Sequence, residues 1–157
     1  MLKRLLIAIG VPLSAAALVL FGADATRQPD AVSFDVGTDA SANAILGRSC
    51  ANCHSNRTVW PWYAHLPGVG GVVRRDVQAA RAQFNLSDWA SYSPDRKNEV
   101  LAEMAAMVRN RRMPPSRYTF LHPDARLSDA QIRQLTEWTT SERRRLSSAA
   151  GRDSEGP

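Results

Sequence analysis

Cysteine is nearly absent from this chain: of 157 residues, only Cys50 and Cys53 carry a thiol. A four-thiolate zinc site and a framework of several disulfides are therefore excluded. One bridge between residues three apart would close too short a loop to restrict the unfolded chain much. Histidine is as sparse, with His54, His65 and His122 its only members. Strand-like alternation and internal repeats are missing, which points to an all-α fold and removes the strand-helix-strand setting of a thioredoxin-type dithiol. No nucleic-acid motif stands out, and a net charge of +5 is too small an excess to argue for one.

What the chain does have is a long apolar start. Lys3 and Arg4 precede an uncharged run from Leu5 to Ala23, and Ala23-Asp24-Ala25 suits cleavage after Ala25. Residues 1–25 are expected to be a signal peptide. The run is close to a membrane span in length, so retention as an anchor is the other reading. In either case Lys3 and Arg4 stay on the cytoplasmic side and the rest is placed outside the cytoplasm, in the periplasm of a bacterium. Residues 1–25 carry two of the 20 basic and one of the 15 acidic side chains, so the remainder has a net charge of +4. That balance suits steering toward an acidic partner or a membrane surface.

The two thiols stand in Cys50-Ala51-Asn52-Cys53-His54. Thiols at this spacing followed directly by histidine form the attachment signature of c-type haem. Within one helical turn the sulfurs reach two vinyl groups of one porphyrin while the next imidazole comes under the iron. One covalent haem c is the expected cofactor, with Cys50 and Cys53 holding the porphyrin and His54 the metal. An export address agrees with this, since such attachment takes place outside the bacterial cytoplasm.

Residues 26–38 read as a polar linker and 39–146 as the domain. Thr38 or Asp39 can cap a first helix through Ala42, Ile45 and Leu46 that delivers Cys50. A ring-bearing loop follows from Ser55 to Gly71, then a second helix over Val72 to Phe84. Ser93 caps a third helix with Pro94 at its first position, and Pro114 and Pro115 require it to stop near Asn110 to Arg112. Ser128 and Gln131 form a capping box for a last helix carrying Ile132, Leu135 and Trp138, which frays at Arg143 to Arg145. Residues 147–157 read as a disordered tail.

From about residue 40 to 145 the chain resembles the monohaem haem-binding domain family of bacterial cytochrome-c-like modules. The resemblance rests on Cys50 to Asn56 (CANCHSN), Trp60 to Tyr63 (WPWY), Asn85 to Trp89 (NLSDW), Met113-Pro114 and Trp138. It implies a small helical domain folded around one haem. At Gly68-Val69-Gly70-Gly71 the chain departs from the pattern, where a bulkier residue is expected beside the haem.

Opposite His54 the leading metal ligand is Met113, a soft thioether on a loop stiffened by Pro114 and Pro115. The resemblance implies the same residue. His65, His122 or an open position are the alternatives, and Met104 and Met107 read as core. Trp60, Trp62 and Tyr63 are expected against the porphyrin, covering it or donating to a propionate, unless they only pack in the core. Pro61 or Pro67 is expected to offer the carbonyl that accepts the Nδ1 proton of His54. Arg109, Arg111, Arg112 and Arg117 either neutralise propionates, form a collar for an acidic redox partner, or are simply solvated at a helix end. The reading is a periplasmic carrier of single electrons with no chemistry of its own on a substrate. The rivals are a ligand sensor or peroxidase-like enzyme with an open distal site, and a haem subunit of a larger oxidoreductase.

Overall fold

The computed structural model describes residue 36 and residues 39–154, and the expected signal peptide or anchor and most of the linker lie outside the described residues. Among the described residues six helices follow in chain order: α1 Ala40–Ser49, α2 Ala51–His54, α3 Val69–Gln83, α4 Pro94–Arg109, α5 Ser116–Leu121 and α6 Asp129–Ser154. Short 3₁₀ turns occupy Trp62–His65, Leu86–Ser91 and Pro123–Ala125, and the described residues contain no strand.

Local chemistry accounts for the helix boundaries. Of the two capping candidates it is Asp39 that starts α1, its carboxylate accepting from the N–H groups of Ser41 and Ala42 at 2.9 Å each. Ala42, Ile45, Leu46 and Ser49 are the buried residues of α1, spaced as one helical face. Ser93 caps α4 through the Arg96 N–H, with Pro94 in the first turn where its missing donor costs nothing. Ser128 and Gln131 exchange the two bonds of the capping box at 3.0 and 3.3 Å.

The main helix pair is α4 against α6. Their interface and the inner face of α1 supply the core, where Leu46, Leu86, Leu101 and Leu135 are fully buried and Trp89 and Trp138 nearly so. Removing one such leucine side chain would cost about 2–5 kcal/mol. α6 differs from expectation at its far end. It does not fray at Arg143 to Arg145 but runs on to Ser154, so most of the stretch read as a disordered tail is helical. Leu146 packs against the core beyond the arginines, and Arg145 is braced by Glu142 one turn back, which keeps this segment in register.

The second helix starts earlier than the apolar pattern indicates, at Val69. Gly68 precedes it with φ of 81°, a left-handed conformation that suits glycine. A Cβ on Gly70 would lie 2.1 Å from the Ala64 carbonyl oxygen. Of the glycines standing where a bulkier residue was expected, Gly70 therefore serves a backbone approach, letting α3 seat on the Trp62–His65 turn, while a Cβ on Gly71 would meet nothing within 4 Å.

Candidate functional site

α1 ends at Cys50, whose N–H still donates to the Leu46 carbonyl, and α2 begins at the next residue with the Cys53 and His54 N–H groups both donating to the Cys50 carbonyl. This single turn brings Cys50, Cys53 and His54 to one wall of a cavity of about 600 Å³. The size lies within the range of cofactor sites. α3, α4 and the segment after α4 line the rest of it, with residues including Val77, Met104, Met107 and Met113.

His54 is nine-tenths buried. Its Nδ1 lies 3.2 Å from the Phe84 carbonyl oxygen. A carbonyl can only accept, so the proton sits on Nδ1 and Nε2 keeps its lone pair for a metal. The acceptor is thus Phe84, thirty residues along the chain, and not the expected Pro61 or Pro67. Those prolines flank a 3₁₀ turn that folds onto α3, whereas the end of α3 carries Phe84 directly beneath the imidazole. The Phe84 ring also stacks on His54, with centroids 4.0 Å apart and planes 11° apart. Burial holds the imidazole below its usual pKa, against the pull of the Phe84 and Ala80 carbonyls, which favours the neutral ligating form.

The thiols are in the state opposite to that of a redox dithiol. Burial pushes Cys50 up to about 12, with Cys53 adding to the shift, and burial followed by Asp76 raises Cys53 as well. A reactive dithiol needs a lowered thiol pKa. Both cysteines are free thiols at the cavity wall.

The turn carrying them is tied down by its own side chains. Asn52 Oδ1 accepts from the Val59 N–H, its Nδ2 donates to the Tyr118 hydroxyl, and its carbonyl accepts from Thr58 Oγ1. Arg81 on α3 donates to the Ser55 carbonyl and to Thr58 Oγ1, both at 2.9 Å. None of Asn52, Arg81, Phe84 or Tyr118 stood out as a site residue in the sequence. Asn52 lay inside the motif between the cysteines, and the others had no spacing signal to find them by.

Met113 lines the cavity and is 37% exposed. Its position follows from how α4 ends. The Arg111 N–H donates to Val108 and the Arg112 N–H to Met107, with Arg111 at φ of 53°. This is the double-bonded left-handed helix stop, formed here without glycine, and it turns the chain sharply so that residue 113 faces back toward the cavity. Met104 and Met107 line the same cavity, so they are not core residues alone, although Met104 does belong to the core cluster.

Of the three expected ring contacts only Tyr63 lines the cavity. Trp62 is 75% exposed, and Trp60 is half-buried away from the cavity. His65 is exposed and His122 is held elsewhere, bonded to the Tyr63 hydroxyl at 2.8 Å and stacked on Tyr118. Neither histidine lines the cavity. Among the four arginines, Arg117 reaches the cavity and pairs with Asp76 of α3 at 3.0 Å, and Arg111 pairs with Asp129. Arg109 and Arg112 are exposed and do not line it.

Two thiols, one neutral imidazole with a ligating nitrogen, thioethers on the same cavity and apolar walls are a donor set that fits an iron porphyrin better than any bare metal ion. Ser49 Oγ, buried on the same wall, has no partner among the described residues, as a wall completed by a cofactor would leave it. The haem-binding domain family matches residues 16–141. This chain belongs to that family. It is also 27% identical over 108 residues to the cytochrome c peroxidase Ccp of Escherichia coli strain K12, a match covering 64% of this chain and 23% of that protein. The chain thus spans about a quarter of its curated relative's length. No solved structure matches. Among the described residues no helix is long and apolar enough to cross a membrane.

Proposed function

We propose that this haem-binding domain is a periplasmic monohaem c-type cytochrome that passes single electrons between protein partners. One observation carries the reading: Cys50, Cys53 and His54 share a cavity wall, with the Nδ1 proton of His54 taken by the Phe84 carbonyl. Bound haem supplies a one-electron iron couple. The chain's own residues do the rest. Cys50 and Cys53 would hold the porphyrin through their sulfurs, and His54 Nε2 and the Met113 thioether would hold the iron. Val59, Val72, Met113 and Leu121 are large apolar side chains that both line the cavity and remain exposed, so the cofactor covers surface that water would otherwise meet. Arg109 and Arg112, exposed at the end of α4, support steering of an acidic redox partner.

A second reading is favoured by the likeness to a peroxidase and by the exposure of Met113. In it the distal position opens, and the domain binds a small ligand, turns over peroxide, or relays electrons within a larger oxidoreductase. A visible spectrum of the oxidised and reduced protein, with and without carbon monoxide, separates the two. The carrier reading expects a low-spin oxidised form with a weak near-infrared sulfur-to-iron band and little binding of carbon monoxide. A high-spin form that binds carbon monoxide readily and consumes peroxide with a reduced donor would replace it with the second.

A further inference from the structure

His54 is bonded to a peptide group that is itself held from the other side. The peptide between Phe84 and Asn85 offers its carbonyl to His54 Nδ1 at 3.2 Å, and its N–H donates to the Tyr92 hydroxyl at 2.7 Å. The orientation of this unit leaves little freedom. Asn85 is buried, its Oδ1 accepts from the Ser87 N–H at 3.0 Å, and its Nδ2 donates to Asn56 Oδ1 at 3.0 Å. On the preceding side the Phe84 N–H closes α3 onto the Ala80 carbonyl, and Arg96 of α4 donates to the Gln83 carbonyl. Tyr92 is set by the edge of Trp89, whose centroid is 6.0 Å away and which is buried in the core.

We propose that Tyr92 is a positioning residue that tunes the iron through this peptide, forming a relay from the Tyr92 hydroxyl through Asn85 N–H and Phe84 C=O to His54. The inference rests on His54 being an axial ligand, as proposed above. Hydrogen bonds made at the two ends of one amide reinforce each other, because electron density drawn toward the carbonyl oxygen makes the N–H a better donor and the reverse also holds. An acceptor on the N–H therefore strengthens the carbonyl's grip on the Nδ1 proton. A proton held more tightly by the carbonyl leaves more negative charge on the ring, which makes Nε2 a stronger donor and favours ferric over ferrous iron. The same relay fixes the plane of the ring. Tyr92 has this influence from outside the cavity, which it does not line.

The test is Tyr92→Phe in the haem-loaded protein, which removes one oxygen and keeps the ring against Trp89. Ser87→Ala is the comparison, since the Ser87 hydroxyl accepts from the Asn56 N–H at 2.9 Å in the same region but bonds no atom of the Phe84 to Asn85 peptide. Tyr92→Phe is expected to raise the midpoint potential, shifting the reduced-to-oxidised ratio at fixed poise about threefold, which is about 28 mV for a one-electron couple at about 59 mV per decade. In a ferrous Met113→Ala background it is also expected to lower the iron–histidine stretching frequency. Ser87→Ala is expected to lower thermal stability and leave potential and stretch where they were. A Tyr92→Phe protein that loses stability with both readouts unchanged overturns the relay and shows a structural role only. An iron–histidine stretch that is absent from a Met113→Ala protein whose ferrous spectrum is five-coordinate and high-spin overturns the assignment of His54 as ligand, a failure distinct from that of the relay. Equal shifts in Tyr92→Phe and Ser87→Ala also overturn it, because they would report general loosening.

Discussion

The two walls of the cavity are built by different means. On the His54 side the ligand is nine-tenths buried, bonded to Phe84, stacked on its ring and surrounded by a turn that Asn52 and Arg81 tie to three other segments. On the Met113 side the ligand candidate is 37% exposed and is aimed by backbone bonds at the end of α4, with Arg111 in a conformation that costs a non-glycine residue energy. One wall is set by the fold in advance. The other is held by backbone bonds alone and offers Met104 and Met107 as further thioethers on the same cavity. In a haem protein the second iron ligand decides whether the iron carries electrons or binds a small molecule, so the choice between the two proposed functions turns on Met113 and the segment that carries it.

The largest test of this contrast is on the rigid side. Cys50→Ala, Cys53→Ala or His54→Ala should lower the yield of holoprotein by more than about tenfold, since the cofactor completes the core of a small domain. Haem retained through denaturing electrophoresis in the wild type and lost in the cysteine variants would be the readout. Next comes the Met113 side. Met113→Ala should abolish the near-infrared sulfur band, admit carbon monoxide and lower the potential by on the order of 0.1 V, a fraction of the ~0.8 V over which axial ligands act. Met104→Leu and Met107→Leu should leave these properties nearly unchanged. If Met107→Leu removes the band instead, the thioether comes from the helix and the contrast between the walls disappears.

Two smaller effects sharpen the comparison. Gly70→Ala should destabilise the domain by about 1–3 kcal/mol, read in a denaturant titration, because the new methyl collides with the Ala64 carbonyl and lifts α3 off its turn. Arg111→Gly should do the reverse, raising stability by about 0.5–1 kcal/mol by relieving the left-handed residue at the helix stop. The ion pair lost to Asp129 is exposed on both sides and offsets little of this. A fall in stability in that variant would mean that the turn before Met113 is held by the Arg111 side chain and not by its backbone.

Much of the helical framework was legible because its signals are local. Asp39, Ser93 with Pro94, and Ser128 with Gln131 act on the next three or four residues, so their types and spacing were enough to mark where helices begin. The apolar pattern missed the start of α3 because Gly70 is placed by its close approach to the Trp62–His65 turn, a contact that periodicity does not carry. It missed α5, whose six residues stand on a short stretch between prolines with little pattern of its own. It also ended α6 too soon, since the grip of Leu146 on the core is a contact between distant parts of the chain.

The site divides along the same line. Sequence alone determined that two thiols and an imidazole lie within one turn, because that arrangement depends only on helix geometry over five residues. Tertiary structure decided which carbonyl takes the His54 proton, a partner thirty residues away that comes into reach when α3 packs on α2. It likewise turned Tyr63 inward while leaving Trp62 in solvent, and engaged His122 with Tyr63 and Tyr118 away from the cavity. Ring type and spacing specify what a side chain can do, but its direction is set by the burial of surfaces contributed from several helices at once.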